Sequence, residues 1–265
     1  MSAMVVEDRR AWVSQIMGMP VSVHLRGPGA SGPAAEEAVR SVFDHLRGVD
    51  AVFSTYRPDS DVCRLDRGEV TLGGCDPTVT DVRELCAEAV RRTAGWFDAV
   101  LPAPGGGSRW DPSGLVKGWA VEQASRALAG VDAVDFCLNA GGDVVLGTGT
   151  VDLRPWRVGI EDPDDPARML AVVEAHAGGV ATSGTARRGH HILDPHTGRP
   201  ATALRSVTVV GPSLMWADVY ATAAVARGPS AAAWIDGLAG YEGLLVATDG
   251  STTTTAGWPP AAAGR

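Results

Sequence analysis

Apolar positions recur along this chain with two different periods. Val21, Val23 and Leu25 alternate with Ser22 and His24, the period of a half-buried strand. Trp12 to Leu25 therefore reads as a strand pair or a kinked strand. It is broken at Met17-Gly18-Met19-Pro20, where Gly18 suggests a bulge or a close backbone approach. Ala35, Ala38, Val39, Val42, Leu46 and Val49 share one face of a helix over residues 34–49. Phe53-Ser54-Thr55-Tyr56 resembles a short strand. Pro58-Asp59-Ser60 then reads as a turn that caps a short helix through Leu65. Val79, Val82, Leu85, Cys86, Ala89 and Val90 predict a second amphipathic helix.

The strand period returns at Val134, Phe136 and Leu138. It passes Asn139-Ala140-Gly141-Gly142-Asp143 and resumes at Val144-Val145-Leu146. Two adjacent glycines inside strand sequence indicate either a close approach to the backbone or a bulge at a sheet corner. Further strands are predicted at Trp156 to Ile160, Met169 to Ala175, Ser206 to Val210 and Gly243 to Thr248. Helices are predicted at 117–129, Trp216 to Ala226 and 230–238. The predicted organisation is a flexible segment over 1–10, one large α+β domain over 11–250 and a tail over 251–265.

Composition narrows the function classes. The chain has 265 residues and a formal net charge of −8, which argues against a nucleic-acid or anionic-membrane partner. The first ten residues are polar, and no apolar stretch suits a signal sequence or a membrane span. A cytoplasmic location is the expectation. Four cysteines, Cys63, Cys75, Cys86 and Cys137, form no Cys-x-x-Cys pair and have no histidine at zinc-ligand spacing. Free thiols are expected.

Chemistry concentrates in three stretches. Asp111-Pro112-Ser113-Gly114-Leu115-Val116-Lys117-Gly118 reads as a turn entering a helix. A helix start offers unpaired N–H groups and a positive dipole end, which suit an anion. Lys117 and Asp111 add opposite charges among glycines. A capped surface helix with a solvated lysine is the alternative on these residues alone. The stretch is not a Walker loop, because Val116 precedes the lysine and Gly118 follows it. Gly178 to Pro200 sets hydroxyl residues, histidines and Asp194 among turn formers, as loop-borne polar chemistry or as a polar hairpin. In the helix of Trp216 to Ala226, Asp218 and Thr222, four residues apart, lie on one face. An aspartate in so apolar a helix needs a partner, unless it only favours the helix dipole from the first turn.

Taken in order, these pieces resemble a known family. They are Met17-Gly18, Ser54-x-Tyr56-x-x-x-Ser60, Phe97-Asp98, Asp111-x-x-Gly114-x-x-Lys117-Gly118 and Asn139-x-Gly141-Gly142-Asp143. Ala181-Thr182-Ser183-Gly184, His191-Ile192-Leu193-Asp194-Pro195-x-Thr197-Gly198 and Ala217-Asp218-x-x-x-Thr222 complete the set. The set resembles the ApbE family of FAD:protein FMN transferases over nearly the whole chain. The resemblance implies a T-fold-like α+β architecture, with antiparallel sheets covered by helices. It implies FAD as substrate, Mg²⁺, and transfer of FMN to a Thr or Ser hydroxyl of an acceptor protein with release of AMP. It places the metal on Gly114, Asp218 and Thr222. It places FAD against Met17, Tyr56, Phe97, Asp98, Asp111, Lys117 and Ile192, close to Gly141, Gly142 and a Thr182-Ser183-Gly184 loop. Tyr56, Phe97 and Trp96 offer aromatic faces for stacking on the flavin or adenine, or serve as core. Lys117, Asp218 and His191 are the expected catalytic groups, His191 as a base or as a positioning group. FAD hydrolysis to FMN and AMP, or FAD binding without turnover, are the alternatives.

Overall fold

A computed structural model describes residues 8–102, 106–149, 154–185 and 192–259. The chain opens with a hairpin of β1 (Arg9–Ile16) and β2 (Met19–Arg26). Helices α1 (Pro33–Phe53), α2 (Asp61–Asp66) and α3 (Thr78–Arg92) follow. A small hairpin of β3 (Val100–Pro102) and β4 (Ser108–Trp110) leads into α4 (Ser113–Ala129). Strands β5 (Asp135–Ala140), β6 (Asp143–Gly147), β7 (Trp156–Glu161), β8 (Met169–Ala175), β9 (Gly178–Gly184) and β10 (Leu204–Gly211) come next. The chain continues through α5 (Leu214–Arg227), α6 (Ala231–Ile235), β11 (Glu242–Ala247) and β12 (Thr252–Thr254).

Eight strands form one antiparallel sheet in the order β1-β2-β5-β6-β9-β10-β11-β12. Because successive strand residues face opposite sides, the sheet feeds two cores. Val21, Val23, Leu138, Val145, Ala181, Val207, Val209 and Leu245 face helices α1, α4 and α5 in the main core. Val144, Leu146, Val180, Val210 and Leu244 face the opposite way. There they meet Ile160 and Val173 of the β7–β8 hairpin, which lies over that face as a separate two-stranded sheet. This is the expected α+β arrangement of antiparallel sheets covered by helices.

Several local expectations change. Met17-Gly18 and Gly141-Gly142 are hairpin turns rather than bulges. Met17 and Gly18 have φ of 55° and 70°, and Gly141 and Gly142 have 63° and 106°. Two central residues at positive φ give the turn whose twist matches antiparallel strands. Phe53 ends α1 rather than starting a strand, because its buried ring extends the face of Leu46 and Val49. Helix α4 starts at Ser113, four residues earlier than expected, so Gly114 and Lys117 are both helical. Ser60 caps α2 as predicted, accepting from the Cys63 N–H at 3.1 Å. Residues 252–254 add a strand where a loose tail was expected, and the first strand already begins at Arg9.

Candidate functional site

The site forms where α4 crosses α5 beneath one end of the large sheet. Small residues set that crossing. A Cβ on Gly118 would stand 3.0 Å from the Asp218 Cβ and 3.0 Å from the Met215 Cα, so glycine lets the helices come a few tenths of an ångström closer than a side chain would. Glu122 fixes the angle: its Oε2 accepts from the Ser213 hydroxyl at 2.7 Å and the Met215 N–H at 3.0 Å. Ser213 in turn caps α5 by accepting from the Trp216 N–H. This helix-to-helix tether had no signal in the sequence beyond one glutamate inside the apolar run after Trp119.

Asp218 projects from α5 into the crossing and is fully buried. Its Oδ2 accepts from the Gly118 N–H at 3.2 Å, and its Oδ1 lies 3.4 Å from the Lys117 ammonium. In an α-helix the Gly118 N–H would close on the carbonyl of Gly114, four residues back. Asp218 thus draws on the donor that faces that carbonyl. The same ammonium lies 2.5 Å from Oδ2 of Asp143, the first residue of β6. Asp143 is buried too, and its Oδ1 accepts from the Thr182 N–H of β9 at 3.0 Å. Burial pushes the Asp218 carboxyl up, to about 7; Lys117 opposes the shift and Asp143 adds to it. Asp143 stood inside the glycine motif, yet its role was not legible until the sheet brought it to Lys117.

Hydroxyls complete this end of the sheet. Ser183 Oγ and Thr222 Oγ1 lie 2.9 Å apart, and Thr182 Oγ1 lies 2.8 Å from Thr208 Oγ1. Thr182, Ser183 and Gly184 are strand residues paired to β10, not a loop, because the ladder from Gly211↔Gly179 to Ser206↔Gly184 is unbroken. Gly141 is favoured by its φ of 63°, and a Cβ there would also displace the Met19 sulfur, 2.7 Å away. A cleft of about 610 Å³ opens over these groups. Lys117, Gly141, Gly142, Thr182, Ser183 and Gly184 line it on the sheet side, and residues 157–163 of the β7–β8 hairpin wall it opposite.

The other expected residues lie at varied distances from this centre. Phe97 is buried, with its ring edge 3.2 Å from where a Gly114 Cβ would stand, so it packs on the α4 start. Asp98 accepts from the Val100 N–H and Asp111 from the Ser113 N–H, so both carboxylates shape turns; Asp111 also pairs with Arg109 at 3.0 Å. Met17 sits in the first hairpin turn, beside the cleft residues Gly18 and Met19. Tyr56 is 94% exposed, free to present its ring to a ligand. Ile192 is buried in the main core. Trp96 stacks edge-on against His196, with ring centroids 4.5 Å apart, and under Arg227. His191 lies outside the described residues.

The arrangement can bind a hard cation and an anion together. Hard divalent ions prefer oxygen ligands. Asp218 and Asp143 offer carboxylates, Thr222 a hydroxyl and Gly114 a carbonyl. Asp143 Oδ2 is buried with no aligned hydrogen bond, and only charge holds it to Lys117. Among the described residues no group of three or more His, Cys, Asp or Glu side chains gathers, so the donor set is mixed oxygen.

A family model described as the ApbE family matches residues 17–105 and 101–245. The FAD:protein FMN transferase of Haemophilus influenzae is 30% identical over 301 aligned positions, covering 90% of this chain and 86% of that protein. Enzymes of the same name from Klebsiella pneumoniae and Escherichia coli K12 are 32% identical over 144 residues. Those two matches cover 49% of this chain, which spans only 41% of each relative's length. The ApbE protein of Thermotoga maritima superimposes with a TM-score of 0.80 at 20% identity, over 94% of this chain and 97% of that one. The Pseudomonas stutzeri flavinyl transferase ApbE gives 0.76 at 24% identity, over 94% and 95%. At such identities these two likenesses speak for the fold. The family model takes in most of the sequence and one relative aligns across most of both chains, so this chain belongs to the ApbE family.

Proposed function

We propose that the protein transfers the FMN part of FAD to a Thr or Ser hydroxyl of an acceptor protein and releases AMP. The observation that carries this reading is the pair of buried carboxylates, Asp143 and Asp218, on one ammonium at the base of a cleft. A diphosphate needs positive charge at its oxygens, and a site holding a lysine beside two cation-ready carboxylates can supply it from both. Relatives that carry the transferase name support the choice of FAD.

In this reading Gly114, Asp218 and Thr222 hold Mg²⁺, with Asp143 beside them. Bound there, Mg²⁺ would neutralise charge on the diphosphate oxygens. The chain's own groups do the rest. Lys117 and the N-terminal N–H groups of α4 bind and orient the diphosphate. The β7–β8 wall and the Gly141-Gly142 turn narrow the cleft around the ligand. Tyr56 offers a flat face for a ring system. His191 takes the proton from the acceptor hydroxyl, the role the resemblance leaves to it. The acceptor is cytoplasmic in this proposal. Among the described residues no helix is long and apolar enough to cross a membrane.

The test is incubation with FAD, Mg²⁺ and peptides carrying an acceptor Thr, followed by mass spectrometry. The expected result is a mass gain of one FMN on the peptide, with AMP released in equal amount. AMP release that no acceptor accelerates, with no modified peptide, would replace this reading with FAD hydrolysis. Bound FAD that stays intact would replace it with storage.

A further inference from the structure

Resting on the reading of this site as a metal and diphosphate site, we propose that Lys117 is an internal cation that a divalent metal displaces. In the metal-free protein its ammonium holds Asp143 and Asp218. When the metal arrives it takes over those carboxylates, and the ammonium turns to the ligand's phosphates.

Three observations support this. First, the two carboxylates are anchored alike. Each gives one oxygen to a main-chain N–H, Asp143 to Thr182 and Asp218 to Gly118, and turns the other to the ammonium. The rigid backbone therefore keeps both carboxylates in place when the ammonium leaves. A Mg²⁺ ion binds carboxylate oxygens at about 2.0–2.1 Å. Lys117 covers Asp218 Oδ1, and the Gly118 N–H covers Oδ2. The ammonium is the partner that can withdraw without breaking a helix contact.

Second, Lys117 is the only lysine in the sequence, while the other 22 of its 23 Lys and Arg residues are arginine. An ammonium is a compact point charge on a flexible stem. A guanidinium is a planar fork that binds a carboxylate in fixed geometry. This chain uses the fork everywhere else and the point charge once, between two carboxylates that a metal of similar compactness can share. Third, the Lys117 side chain is 25% exposed although both its partners are 2% exposed. Its stem therefore borders the cleft, and it lines that cleft with Gly142 and Ser183.

The proposal makes metal and diphosphate binding cooperative. Without metal, the ammonium is held by two negative charges and is withheld from an anion. With metal bound, like charge drives it outward to the ligand.

The single lysine allows a direct test. Protein grown with ¹³C,¹⁵N-lysine shows one ammonium correlation by NMR. In the metal-free wild type this correlation is expected to be protected from solvent. Titration with Mg²⁺ alone should shift and broaden it with the midpoint found by calorimetry, and added inorganic pyrophosphate should restore a protected signal at a new position. Lys117→Met, which keeps the stem and removes the charge, should bind Mg²⁺ on the order of tenfold or more tightly than wild type. Mg²⁺ binding that leaves the lysine signal unmoved, or equal affinity in the variant, overturns the exchange while leaving flavin transfer standing. No Mg²⁺ binding to either protein overturns the metal reading, and the exchange with it.

Discussion

The main-chain N–H of Gly118 meets the carboxylate of Asp218 at 3.2 Å, joining two helices a hundred residues apart in sequence. That contact is helped by the absence of a side chain on α4 and needs an acceptor on α5. Helix α5 can carry a buried acid because Lys117 and Gly118, one helix away, satisfy both of its oxygens.

Gly118→Ala tests the crossing. The new methyl would meet the Met215 backbone at 3.0 Å and Asp218 Oδ2 at 3.1 Å, so α4 and α5 must give by a few tenths of an ångström. Overpacking of this kind costs about 1–3 kcal/mol. Urea denaturation should show that loss, together with a larger loss of turnover. Gly48→Ala is the control. Gly48 is an exposed interior position of α1 with nothing within 4 Å of its Cβ direction, and the same change there should stabilise by about 0.5–1 kcal/mol.

Asp218→Asn keeps the acceptor for Gly118 and removes the charge. On the proposed reading, turnover of FAD with added Mg²⁺ should fall by orders of magnitude while the circular dichroism spectrum stays that of wild type. Stability in EDTA should also change its pH dependence. The Asp218 carboxyl is raised from 3.8 to about 7 by burial, so the folded protein holds a proton that the unfolded chain has released. The resulting stabilisation is full below about pH 4 and is lost as pH rises through about 7. Thermal melts across that range should slope downward in wild type and more weakly in the variant. Parallel slopes would show that Asp218 is not the titrating group.

Arg26 and Asp135 anchor the hairpin that walls the cleft. Their ion pair is buried at 3.2 Å. Arg26 also donates to the Arg154 carbonyl and stacks over Trp156, the first residue of β7, at 4.2 Å. Asp135 accepts from the Thr148 hydroxyl and the Gly149 N–H. Asp135→Ala leaves the guanidinium charge buried, which costs about 3–5 kcal/mol. Chemical denaturation should show that cost. Near 25 °C the folded fraction should bind FAD more weakly, as the wall loses its tether.

The thiols give a test of the two cores. Burial pushes both Cys86 and Cys137 up to about 12, so neither is a thiolate at pH 8. Alkylation of the folded protein at pH 8, resolved by mass spectrometry, should leave the buried Cys86 untouched and modify Cys137, which lines the cleft, more slowly than a free thiol. Both should react once the protein is unfolded. Modification of Cys137 at the rate of a free thiol would show that burial does not hold it in the neutral form.

Much of the fold was legible in the chain itself. Periods of two and of 3.6 are local properties, so Val21 to Leu25, Ala35 to Val49 and Val134 to Leu138 declared their elements before any contact was known. Turn chemistry was legible in kind but not in form. Gly141-Gly142 marks a special backbone, yet a bulge and a hairpin turn call for the same glycines, and only the pairing of Ala140 with Asp143 separates them. Thr182-Ser183-Gly184 misled because small hydroxyl residues resemble a loop. The strand there is held by its neighbours in the sheet, not by propensity.

The site divides in the same way. The sequence by itself determined that Asp218 and Thr222 share a helix face and that Lys117 belongs to a helix start, because both follow from spacing along one element. Only the tertiary structure decided that Asp143 meets Lys117, that Glu122 sets the helix crossing and that Trp96 packs on His196. These contacts join segments far apart in the chain, and no local period encodes how a sheet of eight strands brings its ends over two crossing helices.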